Sequence, residues 1–86
     1  MRGNKEIPIS LNSIEAVKAF VSGINRIDCD MDLLSERRRF IVDAKSVMGI
    51  FSLDLSRPVT LVIHSEDLEI IAKVTEVVEK LGRTDR

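Results

Sequence analysis

Ile7, Ile9 and Leu11 alternate with Pro8 and Ser10 near the start of the chain. This period of two predicts a short strand with one buried face. Pro8 has no amide hydrogen to donate, which assigns the strand to a sheet edge or gives it an irregular start. The period then lengthens: Ile14, Val17, Val21 and Ile24 recur at helical spacing, with Ala16 and Phe20 beside them. Either Asn12 or Ser13 can cap this helix, and Glu15, three residues after Asn12, completes a capping-box-like arrangement. Gly23 and Asn25 mark its end.

Asp28 to Leu33 alternates acid and apolar without exception. It predicts a strand with Cys29, Met31 and Leu33 facing inward and Asp28, Asp30 and Asp32 facing water. Ser35-Glu36-Arg37 reads as a hairpin connection, and Arg38 to Asp43 as the return strand, with Phe40 and Val42 on one face. Ser46 then caps one or two helical turns that end near Leu53, with Ile50 and Leu53 inward and Met48 and Phe51 outward. Ser56-Arg57-Pro58 forms a turn. Val59, Leu61 and Ile63 alternate with Thr60, Val62 and His64 as a fourth strand. Ser65 caps a last helix whose first turn carries Glu66, Asp67 and Glu69, as the helix dipole favours. Its apolar stripe is Ile70, Ile71, Val74, Val77, Val78 and Leu81. Lys80 and Gly82 read as stop signals, and Thr84 to Arg86 should fray.

The predicted order is β-α-β-β-α-β-α in a single domain over residues 1–86. Amphipathic strands and helices with one apolar face each imply an α+β fold, a two-layer open-faced β-sandwich. Helices would cover one face of a four-stranded antiparallel sheet and leave the other polar and wet.

Composition narrows the function classes. Thirteen Lys and Arg against fourteen Asp and Glu give a net charge of −1, without the basic excess of a general nucleic-acid binder. Three phenylalanines, with no Trp or Tyr, make base-stacking platforms a poor expectation. No apolar run approaches the ~20 residues needed to cross a bilayer, and the first residues lack the apolar stretch of a signal peptide. One cysteine, Cys29, forms no internal disulfide, so a reducing cytoplasm is expected. One cysteine and one histidine leave too few soft ligands for a structural zinc site. No metal, no cofactor and no enzymatic activity are expected.

The stretch Val42-Asp43-Ala44-Lys45-Ser46-Val47-Met48-Gly49-Ile50-Phe51-Ser52-Leu53 resembles the regulatory-serine region of the HPr family, the phosphocarriers of the bacterial sugar phosphotransferase system. In that family a Lys-Ser-Ile-Met-Gly stretch opens a short helix and Ser-Leu follows closely; here Val47 replaces the isoleucine. Ala19-Phe20-Val21 and Asp28 to Leu33 resemble the family's first helix and second strand more weakly. The family's other signature, Gly-Leu-His-Ala-Arg-Pro at the start of the first helix, is replaced by Leu11-Asn12-Ser13-Ile14-Glu15-Ala16-Val17-Lys18. Aligning on Ala19-Phe20-Val21 puts Ser13 in the histidine slot and Glu15 in the arginine slot. Aligning without gaps back from Ser46 puts Glu15 in the histidine slot. Neither supplies an imidazole, and a carboxylate beside a phosphoryl group repels it.

The resemblance implies regulatory phosphorylation at Ser46 and partner docking through Val47, Met48 and Phe51. Ser13 and Glu15 would mark a degenerate phosphoacceptor region, and as side chains they read first as helix caps. His64 is the one histidine, a sheet-length from the start of the first helix in the family's fold, and an exposed strand histidine is the ordinary case. Arg37-Arg38-Arg39 reads as a solvated edge that discourages strand addition, and Cys29 as a small core residue. The expectation is an HPr-like regulatory or docking protein without histidine phosphocarrier activity. Its implied partners are an HPr kinase and a catabolite-control regulator, with no direct contact to nucleic acid. The alternatives are a phosphocarrier with an unusual acceptor and a non-phosphorylated interaction module.

Overall fold

A computed structural model of the chain describes residues 4–35, 37 and 40–84. Its elements run β1 (Asn4–Ile9), α1 (Ile14–Ile24), β2 (Met31–Leu34), β3 (Ile41–Asp43), α2 (Val47–Phe51), β4 (Val59–His64) and α3 (Leu68–Thr84). The four strands form one antiparallel sheet in the order β1-β4-β2-β3. The α+β order and the open sheet are those the sequence predicts. β1 lies at an edge, as Pro8 requires.

Alternation decides which face is buried. Register pairs Ile7 with Leu61 and Ile9 with Val59 on one side of β4, and Leu33 with Leu61 and Met31 with Ile63 on the other. These side chains share one face, because opposed residues of an antiparallel pair point the same way. Phe20, Val17 and Ile24 of α1, Ile50 of α2 and Val74 of α3 close over that face, all fully buried. At ~25 cal/mol per Å² of apolar surface removed from water, this layer supplies the main driving force for folding.

Several boundaries differ from the sequence reading. β1 stops at Ile9 and Leu11 lies beyond it, yet Leu11 is fully buried because the chain turns over the core there. β2 begins at Met31, so Asp28 and Asp30 belong to the preceding loop and the acid–apolar alternation overstates the strand. Cys29 is half-buried at the margin of the core rather than inside it. β3 has three residues, and Phe40 precedes it, largely exposed at 63%. The connection is therefore longer than Ser35–Arg37; Ser35 and Phe40 close it by exchanging hydrogen bonds, Ser35 N–H to the Phe40 carbonyl and Phe40 N–H to Ser35 Oγ. Glu36, Arg38 and Arg39 lie outside the described residues; Arg37 is exposed in the turn.

The helix ends show similar shifts. Ile14 occupies the first position of α1 and faces outward, 58% exposed, so it does not join the apolar stripe. α3 is not capped by Ser65. Ser65 Oγ accepts from Asp67 N–H in a local turn, and Asp67 takes the cap position, its carboxylate accepting from Glu69 N–H and its carbonyl from Ile71 N–H. A carboxylate there meets both the free amides and the helix dipole. α3 also runs through Gly82 to Thr84, so Gly82 does not stop it and Thr84 remains helical; Asp85 and Arg86 lie outside the described residues. The open face is not uniformly polar: Val62 and Leu34 point away from the helices yet are buried among their neighbours there.

α1 and α3 lie against each other, and Gly23 sets how closely. A Cβ at Gly23 would fall 2.8 Å from Val77 Cγ1, and a valine in a helix has little rotamer freedom with which to yield. Gly23→Ala should therefore gain none of the ~1 kcal/mol that alanine usually brings to a helix, and overpacking should make it a net loss. In a Val77→Ala background the same change should recover that gain, as read from urea denaturation midpoints. Equal effects in both backgrounds would rule out the close approach.

Candidate functional site

The turn from β3 into α2 is built by local polar contacts. Asp43 accepts twice: its carboxylate from Lys45 N–H at 2.9 Å and its carbonyl from Ser46 N–H at 3.0 Å. Ser46 then caps α2 in an extended backbone conformation, Oγ accepting from Gly49 N–H at 3.1 Å and its carbonyl from Ile50 N–H at 3.0 Å. Gly49 makes this approach possible. A Cβ there would lie 3.2 Å from both Ser46 Oγ and Val42 Cβ, tighter than ordinary packing. Ser52 closes the helix, its hydroxyl donating to the Gly49 carbonyl at 2.6 Å.

α2 divides its side chains as its period demands. Ile50 is fully buried and Leu53 nearly so, while Met48 is 83% exposed, Phe51 45% and Val47 36%. The serine, half-buried and hydrogen-bonded, thus stands at the head of a short helix with three exposed apolar residues. Val47, Met48 and Phe51 together leave a small apolar surface exposed on one short element.

The start of α1 is differently equipped. Ser13, rather than Asn12, is the cap: its Oγ accepts from Ala16 N–H at 3.0 Å and its carbonyl from Val17 N–H at 3.1 Å. Ile14 and Glu15 follow, both exposed. Ser13 and Glu15 thus stand together at the head of α1, one capping it through its hydroxyl and the other presenting an exposed carboxylate.

His64 ends β4 at the opposite end of the sheet from α1's first turn, since Asn4 pairs with His64 and Ile9 with Val59. Its Nε2 lies 2.7 Å from Asp32 Oδ2 across the open face. Both line a shallow cavity of about 330 Å³ with Asp30, Met31, Asp43 and Lys45. Sequence alternation places Asp32 and His64 on the open face but carries no signal that they meet, because their pairing depends on the β2–β4 register. Nor does it signal that Lys45 Nζ donates to the Ile27 carbonyl at 2.6 Å. Burial pushes the Cys29 thiol above its ordinary value; Asp30 adds to this and Lys45 opposes it. Among the described residues, no group of three or more His, Cys, Asp or Glu side chains could hold a metal ion. No helix among them is long and apolar enough to cross a membrane.

Comparison with models of known protein families finds no match, and comparison with curated protein sequences finds none either. Solved structures do match. HPr-C-His from Thermoanaerobacter tengcongensis superposes with a TM-score of 0.69 at 25% identity, covering 90% of this chain and 93% of that one. A phosphocarrier protein HPr from Bacillus anthracis str. Ames gives 0.65 at 21% identity, over 90% and 99% of the two chains. The chain is HPr-like: its four-stranded open sheet and three helices have the fold of these phosphocarriers across most of its length.

The division of α2 has a measurable consequence. Met48→Ala and Phe51→Ala should change folding stability by no more than about 0.5 kcal/mol and 1 kcal/mol respectively, as exposed positions do. Ile50→Ala should cost about 2–5 kcal/mol. Chemical denaturation of the three variants checks this ordering, and a Met48→Ala loss as large as that of Ile50→Ala would contradict it.

Proposed function

We propose that this chain is a divergent HPr-like protein of a bacterial phosphotransferase system that regulates by docking and carries no phosphohistidine. Its docking surface is Val47, Met48 and Phe51, its switch is phosphorylation of Ser46, and its setting is the cytoplasm. The modifying enzyme is an HPr kinase and the docking partner a catabolite-control regulator, so any effect on transcription is indirect. The observation that carries the reading is the pairing of an exposed Met48 and Phe51 with a capping Ser46, on a fold whose first helix opens with Ser13, Ile14 and Glu15 instead of an imidazole.

The chemistry asked of Ser46 is ordinary serine phosphorylation. Its Oγ attacks the γ-phosphorus of ATP, the new Oγ–P bond forms as the bond to the β,γ-bridging oxygen breaks, ADP leaves, and the hydroxyl proton passes to a base of the kinase. The product carries about −1.5 to −2 charges where α2's first amides point. The Gly49 N–H that now bonds the hydroxyl can bond the ester or a phosphoryl oxygen, so the helix persists and the surface beside Met48 becomes strongly acidic. A partner that accepts Met48 and Phe51 in an apolar pocket then discriminates the two states by the charge at the pocket's rim, which alters association rates and register.

Incubation with an HPr kinase and ATP should add one phosphate to the intact protein by mass, and none to Ser46→Ala. Incubation with enzyme I and phosphoenolpyruvate should leave the mass unchanged. An acid-labile phosphorylated species in the second reaction would instead establish a phosphocarrier with an unusual acceptor. No phosphate in either reaction would leave a plain interaction module.

A further inference from the structure

Among the described residues seven large apolar side chains are exposed, and five of them share one flank of the molecule: Phe40, Ile41, Val47, Met48 and Phe51. Ile14 and Leu68, the other two, each open a helix elsewhere. β3 is an outer strand, and α2 packs against its helix-facing side, where a Cβ on Gly49 would lie 3.2 Å from Val42 Cβ. The two hydrogen bonds between Phe40 and Ser35 continue the β2–β3 ladder by one residue. Alternation therefore turns Phe40 to the side of Val42 and α2, and Ile41 to the open face. The five side chains wrap the β3 margin of the sheet. They leave about 500 Å² of apolar surface in water, toward the upper end of the largest patch that monomers carry. A strand added to the edge would not cover it. β3 has three residues, and the Asp43 carbonyl already accepts from Ser46 N–H. Whatever covers this flank meets it side chain to side chain.

The charges at the two ends of the flank indicate what that is. Arg37 is exposed in the turn at the Phe40 end, and Asp43, also exposed, lies three residues past Phe40, about 10 Å along the strand. A two-fold axis through the middle reverses the strand direction. It brings Arg37 of each copy toward Asp43 of the other, with the apolar side chains meeting between them. A net charge of −1 sets little repulsion between copies. Two such flanks remove about 1,000 Å² of apolar surface from water before any polar rim is counted, the size at which specific interfaces begin.

We propose that this chain pairs with a second copy of itself, as a two-fold dimer through the β3–α2 flank. Its area is that of a weak contact, so the dimer forms and dissociates with concentration. Val47, Met48 and Phe51 are hidden within it, and a partner that docks on α2 draws on the monomer. That masking rests on α2 being the docking surface. The dimer itself does not, and it is independent of phosphate on Ser46.

Sedimentation equilibrium of the full chain tests the pairing. Between about 10 μM and 1 mM the weight-average mass should rise from that of one chain toward that of two. Phe40→Ser and Met48→Ser, on different elements, should each raise the dissociation constant about tenfold or more. Arg37→Glu should raise it about fivefold, and added salt should weaken the parent dimer. Urea midpoints at low protein concentration should stay near the parent's in all three variants, as at exposed positions generally. A parent that stays monomeric at 1 mM would overturn the proposal and leave the flank to a different protein. A dimer indifferent to Phe40→Ser and Met48→Ser would overturn it too, by placing the contact elsewhere, and one indifferent to Arg37→Glu would overturn the two-fold arrangement. No kinase enters these measurements, so their failure is distinct from a failure of Ser46 as a kinase substrate.

Discussion

The structure depends on β4 finding its place between β1 and β2. That strand is the last in the chain, yet it is interior, bonded along its length to the first strand and to the second. Val59, Leu61 and Ile63 supply the centre of the buried face, and the helices have nothing continuous to cover until those residues arrive. The loop-closure entropy of joining the two ends of the chain must be met before this burial repays it. The antiparallel β2–β3 hairpin is local by contrast, and α1 is capped by its own Ser13. These local elements cost little loop-closure entropy, and the one long-range insertion makes them a domain.

Much of this was legible because two periods, 2 and 3.6, report burial directly. β4 was readable to the residue, since its alternation is bounded by Pro58 and Ser65, and α2 was readable from a serine before a short apolar run. Boundaries failed where alternation continued past pairing. Asp28-Cys29-Asp30 alternates like the strand it precedes, but Met31 pairs with Ile63 and β4 ends one residue later at His64, whose N–H reaches the Asp30 carbonyl, so Asp28 and Cys29 lie past the end of their would-be partner. Phe40 failed for the reverse reason: an apolar residue beside a strand carries no mark of which side of the turn it occupies. Ile14 has the spacing of the core positions, yet at the first position of α1 it faces outward and only Val17, Phe20 and Ile24 are fully buried. The cap of α3 went to Asp67 because Ser65 spends its hydroxyl on the turn itself.

The candidate site was legible in its parts and not in its wiring. Ser46 was legible as a cap, and the helical period set Met48 and Phe51 outside; their grouping with Val47 as a modification and docking region came from the HPr resemblance and not from the period. Ser13 as a cap was equally accessible. The Lys45–Ile27 bond and the His64–Asp32 pair were not, since each joins residues whose proximity is created by the sheet order rather than by spacing. Gly49 carried a hint, as a glycine inside a helical run invites the question of what approaches it; the answer, Ser46 on one side and Val42 on the other, required coordinates.

The turn that leads into α2 also bears on the solubility of the sheet. β3 is an outer strand, and with Val42 paired inward to Leu33 the outward backbone groups belong to Ile41 and Asp43. The Asp43 carbonyl is already taken by Ser46 N–H, and its carboxylate stands at the same position. What remains of backbone for another strand to grip is little more than one residue, beside the exposed side chains of Phe40 and Ile41. The same serine turn that starts a helix therefore blunts the β3 edge as a template for strand addition, by ending it before a second molecule can find a register there.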